Sequence, residues 1–259
     1  MKYNLSVTTD IGKIRKKNED NFYINGSMRK LVQDKLSIND LIGTEPLICA
    51  VFDGMGGEAC GETASEICAT EAIDLFNKAQ SRHLREDDVN EYVRRANDRI
   101  VDSITDDNTR YAGSTMAMVY ISNGIVYTYS LGDSRVYLLR GNELLQITHD
   151  HTLAMRRYLA NIYTKEEAEN SPDRHKLISF VGVDIERSGI KAESYSEFKA
   201  LDNDKILICS DGLYDMCNET EIVDILSKDS AAPSYDLTNA ALNNGGGDNI
   251  TCLVIQVKE

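Results

Sequence analysis

Leu47-Ile48-Cys49-Ala50-Val51-Phe52-Asp53-Gly54 sets six consecutive apolar residues directly ahead of an Asp-Gly pair. A short continuous apolar run of this kind reads as a strand buried on both faces. The strand anchors the backbone, and the glycine lets the chain turn sharply or come close to a ligand. The carboxylate of Asp53 is thereby held at the mouth of a sheet. Ile206-Leu207-Ile208-Cys209-Ser210-Asp211-Gly212 repeats the arrangement. Asp133 follows the apolar stretch ending at Leu131-Gly132, and Asp248 stands just ahead of the run from 250 to 257. Any single Asp-Gly pair is ordinary turn chemistry. Four aspartates at strand edges, from four parts of the chain, are placed to share one site. Convergent carboxylates repel each other and need a cation between them. An all-oxygen donor set suits Mg²⁺, Mn²⁺ or Ca²⁺ and disfavours zinc.

Around these runs, residues 115–121 and 125–131 read as strands joined through Asn123-Gly124, a favourable hairpin turn. Residues 136–139 and 144–147 flank Gly141-Asn142 in the same way, and 205–209 adds a further strand. Tight hairpins imply antiparallel sheet. Val89, Tyr92, Val93, Ala96, Ile100 and Ile104 keep the helical period. A second helix is expected from Gly61 or Glu62 to Lys78. Asn218 with Glu221, and Thr164 with Glu167, form N-cap signatures for two shorter ones. Strands outnumbering a few amphipathic helices predict sheets packed on each other and covered by helices.

At 259 residues, with no linker-like tract, the chain suits one large domain spanning 1–259. A net charge of −14 argues against a nucleic-acid partner. No apolar run approaches the roughly 18 residues of a membrane span. The N-terminus, Met1 to Ser6, turns polar at once and lacks an apolar leader core, so a cytoplasmic, membrane-free protein is expected. The six cysteines include no C-x-x-C pair, and Cys49, Cys209 and Cys252 lie inside apolar runs. They read as buried thiols.

Arg15 stands four and five residues ahead of Glu19 and Asp20. A guanidinium fork matches phosphate oxygens, and neighbouring acids can hold metal-bound waters. With this segment the whole set resembles the metal-dependent protein serine/threonine phosphatases of the 2C type, above all the compact bacterial ones. The matching stretches run in order. They are Thr9-Asp10-Ile11-Gly12 with Arg15 and Asn18-Glu19-Asp20, then Val51 to Gly57 with Gly61-Glu62, and Gly113-Ser114-Thr115. Leu131 to Arg135, Asp150-His151, Ser210 to Leu213 and Gly247 to Thr251 complete the series.

The resemblance implies an α+β four-layer sandwich, two packed antiparallel β-sheets flanked by helices. It implies hydrolysis of phosphoserine and phosphothreonine in proteins, opposite a serine/threonine kinase, by a monomer. The nucleophile would be a hydroxide bridging two Mn²⁺ or Mg²⁺ ions, with no phosphoenzyme. Asp53 would bridge the two metals with the Gly54 carbonyl as a further ligand, Asp211 and Asp248 would bind the second ion, and Glu19 and Asp20 would act through waters. Asp133 with Asp211 would hold a possible third ion, Arg15 would grip the phosphate, and about 152–171 would form a flap. The chain departs from the pattern at Met55, where many relatives carry a histidine proposed as general acid, leaving that role unassigned. It departs again at Ser171, Phe180 and Gly245-Gly246-Gly247, and in a long connector over 27–46.

Overall fold

The computed structural model describes residues 1–31, 33–56, 60–104, 112–183 and 189–259; Gly57, quoted above, lies outside the described residues. The chain opens with β1 (Lys2–Asp10), β2 (Asn21–Ile24), β3 (Ser27–Met28), β4 (Lys35–Gly43), β5 (Leu47–Phe52) and the short β6 (Gly54–Gly56). Two long helices follow, α1 (Cys60–Ser81) and α2 (Glu86–Ser103). Next come β7 (Ala112–Ser114), β8 (Met116–Ser122), β9 (Ile125–Leu131), β10 (Arg135–Arg140), β11 (Glu143–Gln146), α3 (Leu153–Leu159) and α4 (Lys165–Glu169). The chain continues through β12 (Glu193–Ser194), β13 (Phe198–Lys199), β14 (Lys205–Cys209), α5 (Asp211–Tyr214), α6 (Glu219–Leu226), α7 (Pro233–Asn243) and β15 (Ile250–Lys258).

Among the described residues the main strands form two antiparallel sheets. One has the order β11-β10-β14-β15-β1-β4, and the other β12-β9-β8-β5-β2-β3 with β13 also on β9. Strand alternation explains the layering. In β5, Leu47, Cys49 and Val51 enter the core between the sheets, while Ile48, Ala50 and Phe52 pack under α1 and α2. In β15, Leu253, Ile255 and Val257 face the other sheet, while Ile250, Cys252 and Val254 pack under α5, α6 and α7. Apolar runs without polar alternation are therefore strands covered on both faces, and the result is the expected helix–sheet–sheet–helix sandwich. All six cysteines are free thiols. Among the described residues no helix is long and apolar enough to cross a membrane.

Local chemistry sets the connections. Asn123 and Gly124 both adopt left-handed φ, 54° and 71°, as the β8–β9 hairpin requires. The side chains of Asn218 and Thr164 accept from the N–H groups of Glu221 and Glu167, closing capping boxes on α6 and α4. The connector over 27–46 is largely a strand: β4 pairs with β1 along the sheet edge. Its inward residues, Leu36, Ile38 and Leu41, are not evenly spaced because a bulge opposite Leu5 and Val7 shifts the register, with Asp40 left-handed at φ 59°. Asp211-Gly212, which follows β14, opens α5.

Candidate functional site

Strand ends from both sheets meet at one cleft. Asp53 leaves β5, Asp133 leaves β9, Asp211 leaves β14 and Asp248 precedes β15, while the loop after β1 brings Arg15 and Glu19. These six residues and Gly54 line an open cleft of about 230 Å³, together with Met55, Thr115, His175 and Asn249. That volume is below the roughly 300–1,000 Å³ of sites for drug-sized ligands, and suits a phosphoryl group with ions. Asp20 lies directly behind, fully buried.

Hydrogen bonds hold the backbone of the site in place. The Asp53 N–H donates to Thr115 Oγ1 at 3.0 Å, and the Thr115 N–H donates to the Asp53 carbonyl at 2.9 Å. Ser210 Oγ donates to Asp20 Oδ2 at 2.7 Å. Asn249 staples the N-terminal loop: its Oδ1 accepts from the Glu19 N–H at 2.7 Å, and its Nδ2 donates to the carbonyls of Ile11 and Lys17, each at 2.9 Å. Arg29, 1% exposed, donates to the carbonyls of Asp20 and Asn18 at 2.7 Å each, so it clamps the same loop from inside. Arg135 makes a two-point bond to Asp150 and lies 3.5 Å from the ring centre of Tyr214, whose hydroxyl donates to the Asp133 carbonyl. His151 accepts from the Gly132 N–H and contacts Glu193 through Nε2 at 2.6 Å. Asp150 and His151 thus have protein partners in Arg135, Gly132 and Glu193.

The glycines after the aspartates allow close approach, but to protein instead of ligand. A Cβ on Gly54 would sit 2.2 Å from the Gly61 carbonyl oxygen, and one on Gly212 2.0 Å from that of Asn249. Only a residue without a side chain lets these backbones touch.

Electrostatically the cleft is strained towards protonation. Burial, then the neighbouring Asp20, Asp211, Asp133 and Asp248, pushes the Asp53 carboxyl well above its usual range. Burial and then Asp133, Asp248, Asp215 and Asp20 do the same to Asp211. Burial raises Asp133 to about 7 and Asp20 to about 6, the latter against the pull of the Ser210 and Thr251 hydroxyls. Burial also raises Glu19. Arg15 is the nearby counter-charge, its Nη2 2.5 Å from Asp248 Oδ2.

The residues fit a divalent cation. The donors are carboxylate oxygens crowded closely enough to repel their own charges, and Asp20 Oδ1 is buried with no hydrogen-bond partner among the described residues. Every site residue expected from the sequence lines the cleft or, for Asp20, lies against its floor. Three contributors carried no usable sequence signal: Arg29, beside Lys30 in a connector; His175, in the stretch after α4; and Asn249, quoted in a motif without a role.

The sandwich with its carboxylate cleft defines a class, the protein phosphatase 2C family, and the chain belongs to it: that family's sequence pattern matches residues 28–243. Within that class it is a protein serine/threonine phosphatase. It is 32% identical over 258 residues to the serine/threonine phosphatase stp of Listeria welshimeri, covering 96% of this chain and 93% of that one. The crystal structure of the Mycobacterium tuberculosis serine/threonine phosphatase PstP/Ppp superposes with a TM-score of 0.80 at 27% identity, over 100% of both chains. A structure of the PstP catalytic domain, described as a complex with two manganese ions, superposes at 0.77 and 26% identity over 99% of this chain and 100% of that one.

Proposed function

We propose that this phosphatase works with Mn²⁺ or Mg²⁺ held by Asp53, the Gly54 carbonyl, Asp211 and Asp248, with Glu19 and Asp20 acting through water. Asp133 adds a further, weaker position. The observation that carries this reading is the gathering of acids whose charges burial and repulsion suppress, around a buried oxygen on Asp20 without a partner among the described residues. Divalent ions in such a cleft supply charge neutralisation and lower the pKa of a water. Asp53, anchored at both its N–H and its carbonyl, holds its carboxylate at the cleft floor without rearrangement. Arg15, half exposed at the rim, swings between Asp248 and the phosphate oxygens of the substrate. The segment over 152–171, with α3 and α4, acts as a flap beside the cleft. The physiological role is to oppose a serine/threonine kinase, because each protein phosphate ester removed must first be made by one.

The test uses a phosphothreonine peptide, with protein stripped by chelation and verified metal-free. Turnover is expected to vanish and to return with Mn²⁺. Undiminished turnover in the stripped sample sinks the metal reading.

A further inference from the structure

We propose that His175 gives a nitrogen donor to a cation position shared with Asp133 and Asp211. The position therefore combines an imidazole with two carboxylates, and this proposal rests on the metal-dependent reading above. One ligand atom from each of the three residues lies within 4.8 Å of the other two. Asp133 is 5% exposed and lines the cleft beside Asp211. Buried charges are paired or coordinate metals, and Asp133 and Asp211 carry the same sign.

The imidazole is oriented from its far side. His175 Nε2 lies 3.4 Å from Asp215 Oδ2, and Nδ1 faces Asp211 Oδ2 at 3.9 Å. Asp215 is itself met by Arg174 Nη2 at 3.3 Å. A metal-binding histidine characteristically gives its second ring nitrogen to a carboxylate, which fixes tautomer and ring direction. Asp215 Oδ2 stands on that side of the ring, and with a cation bound at Nδ1 it would accept the Nε2 proton. Two acids and one imidazole favour transition-metal ions over Mg²⁺, whose preference is for oxygen alone. His175 belongs to the stretch that follows α4, so the ion would also tie that stretch to the ends of β9 and β14.

Mn²⁺ is the probe, because its electron spin reports directly bound nitrogen. Stripped full-length protein is loaded with excess Mn²⁺ and its spin-echo modulation recorded, with calorimetry of Mn²⁺ and Mg²⁺ binding alongside. Nitrogen modulation is expected in the wild type and is expected to be lost in His175→Gln. One class of Mn²⁺ sites should weaken about tenfold or more in that variant, and likewise in Asp215→Asn, with less change for Mg²⁺. A wild type without nitrogen modulation overturns the proposal. So does modulation that survives in His175→Gln, as it would from a surface histidine such as His149. Peptide hydrolysis in the same samples keeps the two readings apart. Mn²⁺-dependent turnover without a nitrogen signal removes the His175 site alone, while metal-independent turnover removes the metal reading beneath it.

Discussion

Asp53 is crowded by four other acids and anchored by Thr115 at both its N–H and its carbonyl. Asp53→Asn keeps the volume and removes one of the repelling charges. Turnover should fall by several orders of magnitude, with little recovery in extra Mn²⁺. The metal-free variant should melt at or above the metal-free wild type, since relief of repulsion stabilises an empty cleft. Kinetics and thermal melts check the pair. A turn-capping aspartate would tolerate Asn with both quantities unchanged. Arg15 makes the opposite prediction: it meets Asp248 at the rim and stands away from the cleft floor. Arg15→Ala should raise KM about ten- to hundredfold with a smaller change in kcat, and Arg15→Lys should recover part of it. An unchanged KM with an abolished kcat would assign Arg15 to the chemical step instead.

At the scale of elements, the cleft depends on backbones packed closer than side chains permit. Gly212→Ala drives a methyl group to 2.0 Å from the Asn249 carbonyl oxygen, at the junction of α5 and β15. The expected loss is about 1–3 kcal/mol, and the Mn²⁺ concentration for half-maximal activity should rise because Asn249 also staples Glu19. Gly247→Ala is the control. Its Cβ would meet nothing nearer than Met216 Cε at 3.7 Å, so its effect should stay within about 0.5 kcal/mol. Denaturant melts and Mn²⁺ titrations separate the two; equal losses would mean that contact at Asn249 is not what matters. The strands that carry the acids were legible because an apolar run capped by Asp-Gly encodes burial and termination together. β4 was not, because its bulge breaks the period of two on which strand reading depends. α7 was missed although Pro233 occupies the first turn, where proline fits; its buried side is mostly small or polar, with Ser234, Thr238 and Ala241 around Leu237. The acids of the site could be read because they sit at strand ends. Arg29 and His175 could not, since both sit in short basic runs outside a periodic segment, which look like surface.

For the molecule as a whole, the cleft makes stability depend on pH in an unusual direction. An aspartate ordinarily titrates near 3.9 when unfolded, whereas burial holds Asp20 near 6 and Asp133 near 7 in the fold. Between those limits the native state binds more protons than the unfolded chain. Their contribution is therefore complete at the acid end and is lost as pH rises through about 6 to 7. Metal-free protein should melt progressively lower from pH 5 to pH 8. Saturating Mn²⁺ should abolish or reverse that trend, because cations then do what the protons did. Asp88, drawn down to about 2 chiefly by its bond to Arg82, titrates below this window and does not disturb it. Melts in chelator and in Mn²⁺ across the range decide the matter; a flat metal-free profile would mean that the acids are ionised without a cation.

β15 lies inside its sheet, between β14 and β1, and pairs with β1 from Lys2↔Lys258 to Asp10↔Ile250. It is also the last of these strands to leave the ribosome. Until it arrives, β1 and β14 have no common neighbour, Asn249 cannot hold Glu19, and Asp248 has no place beside Arg15. A nascent chain therefore carries nearly every acid of the cleft without being able to use them together. The cleft is complete only once β15 has joined the sheet and brought Asn249 and Asp248 to the N-terminal loop.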